Sequence, residues 1–176
     1  MSKLSNALSN LLMLAIGMFS ASTGFANLQQ DIRNQGAEHN VEIRLLLKKD
    51  VPSASTDVHV DKNIMQLAGF VDNKQQMRNV IQVAKKCQDK YRVINNVKVE
   101  TADENPEVDL GLKNDVITKL KADNYSMDKI EVQTRKGHVI LSGFVNRHLS
   151  IKDIRAAVKS IPGVHEVDNY VLYKQT

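Results

Sequence analysis

The pentapeptide Leu67-Ala68-Gly69-Phe70-Val71 returns as Leu141-Ser142-Gly143-Phe144-Val145. The same offset of 74 residues, applied from Ile43 to Val99, also matches Ile43 with Ile117, Leu46 with Leu120, Val58 with Val132 and Lys62 with Lys136. Further on it matches Lys85 with Lys159, Val93 with Val167, Asn95 with Asn169 and Val97 with Val171. Most of these are apolar or turn residues, the kind that one small unit needs in order to fold twice. The chain is therefore expected to be a tandem repeat, and each unit, at about 60 to 70 residues, lies near the lower size at which a domain folds unaided.

A unit of that size has to find its stability somewhere. Cys87 is the only cysteine, so no crosslink within the chain is available, and with no tryptophan the cores must be built from aliphatic side chains. The formal net charge is only +4, well short of a nucleic-acid-binding excess.

The first 26 residues read as a separate element. Lys3 precedes an apolar run, Leu11 to Phe19, and small residues lead to Gly24-Phe25-Ala26. That is the layout of an export signal cut after Ala26. A retained anchor is the alternative, but the run is less than half of the roughly 20 residues that a spanning helix needs. The expected organisation is thus a signal peptide (1–26), an N-terminal arm (27–37), a first domain (38–100), a linker (101–106) and a second domain (107–176), in a soluble periplasmic protein.

Within each unit the residue pattern changes period in the same order. Val41 to Lys48 and Pro106 to Lys121 read as amphipathic helices, with Pro106 suited to a first helical turn. Thr56-Asp57-Val58-His59-Val60 and Ile130-Glu131-Val132-Gln133-Thr134 alternate as half-buried strands. Turns at Lys62-Asn63 and Lys136-Gly137 lead back into strands Ile64–Val71 and His138–Val145, where Gly69 and Gly143 fit a bulge or the close approach of a helix. Asp72 and Asn146 are suited to cap a second helix. In the first of these helices Met77, Val80, Ile81, Val83, Ala84 and Cys87 share one face. Cys87 then reads as a small core residue, with a redox or metal role as the alternative. Val93–Val99 and Val167–Tyr173 close the units as short strands.

Helix, strand, strand, helix, strand gives an α+β fold in which two helices cover one face of a three-stranded mixed sheet. This order, together with Gly143-Phe144-Val145 and the ending Gly163-Val164-His165-Glu166-Val167-Asp168-Asn169, resembles the BON domain of bacterial envelope proteins. The resemblance covers about residues 38 to 175 as two tandem αββαβ BON-like domains. The first copy departs from the pattern by carrying Asp89-Lys90 where the second has Gly163-Val164. Asn63, Gly69, Gly137, Gly143 and Gly163 are the expected structural turn and bulge positions.

The sequence shows no constellation for catalysis. No Gly-rich phosphate loop, no Gly-x-Ser-x-Gly turn and no tight His or Cys metal-ligand spacing occurs, and His59 and His138 read as surface or sheet-edge residues. No cofactor, metal or nucleic acid is expected. The family resemblance implies attachment to anionic phospholipid at a membrane surface, in support of the envelope under osmotic or other stress. Lys74, Arg78 and Lys85 in the first repeat and Lys152, Arg155 and Lys159 in the second could meet lipid phosphates. A solvated helix face explains any one of these residues equally well. Tyr125 and Met127 are the candidates for shallow insertion. The alternative function is a chaperone-like or interaction module for exported or outer-membrane proteins.

Overall fold

A computed structural model describes residues 23–48, 51, 55–86, 89–101, 106–127, 130–146 and 150–175. The apolar run of the signal and Cys87 lie outside the described residues. The first repeat comprises α1 (Thr23–Leu46), β1 (Thr56–Asp61), β2 (Ile64–Val71), α2 (Lys74–Lys85) and β3 (Arg92–Val99). The second comprises α3 (Pro106–Ala122), β4 (Ile130–Arg135), β5 (His138–Val145), α4 (Ile151–Lys159), β6 (Glu166–Asn169) and β7 (Leu172–Tyr173). In both sheets the hairpin is antiparallel and the last strand runs parallel to its second strand, after a helical crossover. The α+β, two-domain architecture read from the sequence is the one observed.

Each helix pair packs on one face of its sheet. Val41, Leu45, Val58, Leu67, Val71, Val80 and Val97 belong to the first core, and Val116, Leu120, Val132, Leu141, Val145, Ile154 and Val171 to the second. Most strand and second-helix positions obey the offset of 74, but the first helices do not. Ala37, Val41 and Leu45 of α1 stand where Leu112, Val116 and Leu120 of α3 stand, one residue out of step, and Leu46 is exposed while Leu120 is buried. The identities of Ile43 with Ile117 and Leu46 with Leu120 therefore do not mark equivalent places, and the gapless alignment fails in the helix. A helix tolerates this slip because a core stripe spaced by four residues needs only to face the sheet.

Other local expectations shift as well. Helix α1 runs through residues 27–37, which were read as an arm. Asn73, not Asp72, caps α2, its side chain accepting from the amides of Gln75 and Gln76, each at 2.9 Å. Ser150, not Asn146, precedes α4. In the hairpins the left-handed residues are Lys62 (φ 51°), Lys136 (φ 49°) and Gly137 (φ 78°), so Asn63 shares its turn without carrying the positive φ. At Gly69 (φ 124°) a Cβ would sit 2.0 Å from the Ser55 carbonyl oxygen, so the close neighbour is the entry to β1 rather than a helix.

The strand expected to run from Val167 to Tyr173 breaks at Tyr170-Val171, where the Tyr170 carbonyl accepts the side chain of Gln66 from the other repeat at 2.6 Å. The Asn of the closing motif has a local task in both copies. Asn95 Oδ1 accepts from the Val97 amide at 3.2 Å, and Asn169 Oδ1 from the Val171 amide at 3.1 Å.

The sheet faces turned away from the helices meet each other. Strands β2 and β5 are buried along nearly their whole length, and Ala68, Phe70 and Ile140, with Tyr170 against them, form a third apolar cluster between the sheets. The molecule is thus layered helix, sheet, sheet, helix.

Candidate functional site

Two kinds of feature compete for the role of a site: the outer helix surfaces and the seam between the sheets. On the outside, Lys74, Arg78 and Lys85 are exposed on α2, with Arg78 donating to Gln75. Lys152, Arg155 and Lys159 are exposed on α4 and line, with His165, Glu166 and Val167, a shallow groove of about 420 Å³. The Lys159 ammonium donates to the His165 carbonyl across that groove. The basic residues of each helix are gathered together, but α2 and α4 lie on opposite outer layers, so one flat surface meets one set at a time.

Tyr125 and Met127 pack partly buried against the second core, and the Tyr125 hydroxyl lies 3.3 Å from the Ser150 carbonyl oxygen. Burial, then the carboxylates of Asp153 and Asp123, raises the pKa of that hydroxyl. Their surroundings are those of core-edge residues rather than of free insertion tips. Exposed apolar side chains lie elsewhere, among them Leu28, Ile32, Ile43 and Leu46 on α1, Leu47 just after it, and Val108 and Leu110 on α3. At about 100° per residue, Leu28, Ile32, Ile43 and Leu46 share one narrow arc roughly opposite the buried Val41 and Leu45. The sequence reading missed this stripe because it began the helix at Val41; the spacing of four between Leu28 and Ile32 was the available signal.

Around the apolar cluster, the seam carries paired polar groups. Gln66, fully buried, accepts the Gly143 amide at 3.0 Å with one end of its side chain and donates to Tyr170 with the other. Gln133 donates to both oxygens of Asp57, at 2.8 and 3.0 Å. The Arg135 guanidinium, buried over the Phe70 ring, donates to Asp72 at 3.0 Å and to the Glu100 carbonyl. His59 Nε2 and Ser142 Oγ are 3.0 Å apart.

These groups are taken out of water by the sheet-on-sheet packing, and their acidities move accordingly. Burial, reinforced by Glu131 and Glu42 and opposed by Gln133 and Lys113, pushes Asp57 up to about 7. Burial alone brings His59 down to about 4. A cavity of about 270 Å³ at this end of the seam is lined by both groups and by Glu38, Glu42 and Glu131.

At another place on the seam His138, read as an edge residue, is enclosed. Its Nδ1 lies 3.0 Å from Glu100 Oε2 and 4.0 Å from Glu166 Oε2, and its Nε2 lies 3.2 Å from Asp168 Oδ2. Asp168 is also held by Lys98 at 3.0 Å. The ring stands edge-on to Phe70, with centroids 5.1 Å apart.

The fold and these surfaces define a two-domain α+β protein of repeated units whose sheets are locked together. Among the described residues no helix is long and apolar enough to cross a membrane. The BON domain profile matches residues 35–101 and again 109–175, and the chain belongs to the BON-domain family. It is 26% identical over 134 residues to Osmotically-inducible protein Y of Escherichia coli, covering 73% of this chain and 67% of that one. Among solved structures, two of CdsD, a structural protein of the type III secretion system of Chlamydia trachomatis, are similar at 13% identity and a TM-score of 0.34. They cover 81% and 79% of this chain against 67% and 62% of their own length, and likeness at that level carries no further meaning.

Proposed function

We propose that this chain is a periplasmic, non-enzymatic phospholipid-binding protein that supports the cell envelope under osmotic or related stress. The observation that carries the reading is the groove of α4, where Lys152, Arg155 and Lys159 converge. Each basic side chain near an anionic bilayer contributes about 1 kcal/mol, so three together give weak, reversible attachment that salt weakens. The name of the Escherichia coli relative supports the osmotic setting, and the apolar run with Gly24-Phe25-Ala26 supports export. Flotation with liposomes is the test. Binding to vesicles containing phosphatidylglycerol, reduced by salt and by the double variant Lys152→Glu with Arg155→Glu, is the expected result; equal absence of binding at low salt with and without anionic lipid refutes it.

A second reading, a chaperone-like module for exported proteins, draws on a separate feature, the exposed stripe Leu28, Ile32, Ile43 and Leu46 on α1. Apolar surface of this kind marks contact with other molecules when it is contiguous. Suppression of aggregation of an unfolded outer-membrane protein, lost in Ile32→Ser with Leu46→Ser, would support it. Failure across several clients removes it.

A further inference from the structure

Each sheet has two edges, β1 and β3 in the first, β4 and the interrupted pair β6 and β7 in the second. The outer side of an edge strand carries amides that no neighbour within the sheet takes, and such a row is a template for a strand from another molecule. Which amides these are follows from the pairing, because successive amides of a strand point to opposite sides. In β3 the Arg92 amide donates to Asn63 and the Glu100 amide to Val71, so the amides of Val93, Asn95, Val97 and Val99 face out. In the second sheet the amides of Tyr170 and Lys174 go to Leu141 and Val145, so those of Val167, Asn169, Val171 and Tyr173 face out. In β1 the pair that closes the hairpin is Asp61 with Ile64, which turns the amides of Val58 and Val60 outward.

A side chain covers one outward amide on each of these three edges. Asn95 Oδ1 accepts from Val97 in β3, Asn169 Oδ1 from Val171 just before β7, and Glu38 Oε1 reaches from α1 to accept from Val60 in β1 at 2.6 Å. Val60, Val97 and Val171 are each 4% exposed, so these positions are closed to water and to a second strand alike. At the fourth edge the start of α3 is laid along β4. There the Asp109 carbonyl takes the Thr134 hydroxyl at 2.6 Å, and the Asp109 carboxylate takes the Lys136 amide at 2.7 Å. Asparagine is a residue that strands disfavour, yet it stands at the same place in both repeats, between valines that strands favour. What it brings there is an acceptor within reach of the outer amide two residues on.

We propose that Glu38, Asn95, Asp109 and Asn169 guard the sheet edges, occupying outer amides so that the sheets do not take on a strand from a second copy of this chain. Duplication creates the need. Two repeats built of the same strands offer edges of matching length to one another, the setting in which identical elements are exchanged between molecules. The guard on β3 matters most, because β3 is the longest edge, with eight residues against six in β1 and in β4, and ends in Val99, which is 41% exposed. Asn95 is also the guard whose removal is easiest to interpret. Asn169 has a second task, donating to the Ile151 carbonyl at the start of α4 at 2.9 Å.

The test is sedimentation velocity of the full chain over a range of concentrations, for wild type, Asn95→Val, Asn96→Val and Asn95→Asp. Asn95→Val removes the acceptor and supplies a side chain that strands favour, and it is expected to self-associate at least about 10-fold more tightly than wild type, the worth of one or two added backbone hydrogen bonds. Asn96→Val makes the same change of composition one residue on, and Asn95→Asp keeps an acceptor, so both should behave as wild type does. In the Asn95→Val assembly, hydrogen exchange should slow at Val93 and Val99, whose amides face outward. Should Asn95→Val fail to fold, Glu38→Ala opens β1 instead and should associate with slowed exchange at Val58 and Val60. The proposal falls if the variant that folds loses stability without associating more tightly, which would mean that the side chain only satisfies a buried amide. It also falls if Asn96→Val or Asn95→Asp associates as Asn95→Val does, or if the outward amides of the assembly exchange as fast as before.

Discussion

The two repeats agree most where they face their own helices and differ most where they face each other. Val58 and Val132, Leu67 and Leu141, Val71 and Val145, and Val97 and Val171 are identical pairs, and all are buried beneath helices. On the other side of the same strands, Asp57 stands against Glu131, His59 against Gln133, Asp61 against Arg135 and Gln66 against Ile140. A core face asks only for volume and apolarity, which both copies can supply alike. A seam between two copies asks for complementarity, so a donor in one needs an acceptor in the other, and identical faces would bring like groups together.

The largest effects should come from the faces that agree. Leu67→Ala and Leu141→Ala, each fully buried, should lower stability by roughly 2 to 5 kcal/mol apiece, measured by urea unfolding. Losses of similar size would confirm equivalence of the two cores; a large loss in one copy only would break it.

The seam comes next. Gln66→Leu removes the partner of both the Gly143 amide and the Tyr170 carbonyl, and should destabilise by about 1 to 3 kcal/mol, whereas Ile140→Leu at the matching position should change stability by less than about 1.5 kcal/mol. If Gln66→Leu also separates one unfolding transition into two, the seam is what couples the repeats.

The titrating groups of the seam sharpen the comparison through pH. Asp57, raised to about 7 when folded, makes the native state hold an extra proton from about pH 4 to 7, so its contribution to stability is present at low pH and is lost as pH rises through 7. His59, lowered to about 4, makes the native state hold one proton fewer from about pH 4 to 6.5, so its contribution is present above 6.5 and is lost as pH falls through 4. The two slopes oppose each other, each at most about 1.4 kcal/mol per pH unit, and the wild type should be nearly flat between pH 4 and 6.5. Asp57→Asn should unmask a rise in stability with pH, and His59→Gln a fall, in denaturation curves recorded across that range.

The last effect falls on membrane attachment rather than on stability and concerns the outer helices. Reversing Lys152 and Arg155 should weaken attachment to anionic vesicles by about 1 kcal/mol per charge, and reversing Lys74 and Arg78, on a face without a comparable groove, by less.

Much of the fold was legible because it rests on local pattern. The alternation of Thr56 to Val60 and the run Ile64 to Val71 yield strands within a residue of those observed, since side-chain direction in a strand follows directly from sequence parity. The register of α1 was not legible. Chance identities at Ile43 and Leu46 suggested one facing for a helix whose core is Val41 and Leu45, and only packing against β1 distinguishes them. The site residues divide in the same way. Lys152, Arg155 and Lys159 are three and four apart on one helix, so their gathering follows from helical spacing. The contacts of His138 with Glu100 and Asp168 have no such periodicity to betray them.

From the chain alone came the duplication, the order of elements and the side of each strand that meets a helix, because these depend on periodicities of a few residues. What covers the second side of each sheet was decided by the tertiary structure. A strand such as β5, apolar at five of its eight positions and on both of its faces, announces that both faces are buried but does not say against what. The answer, the other repeat, follows from the matching of Gln66, Gln133, Arg135 and His138 to partners far away in sequence, a match that exists only in three dimensions.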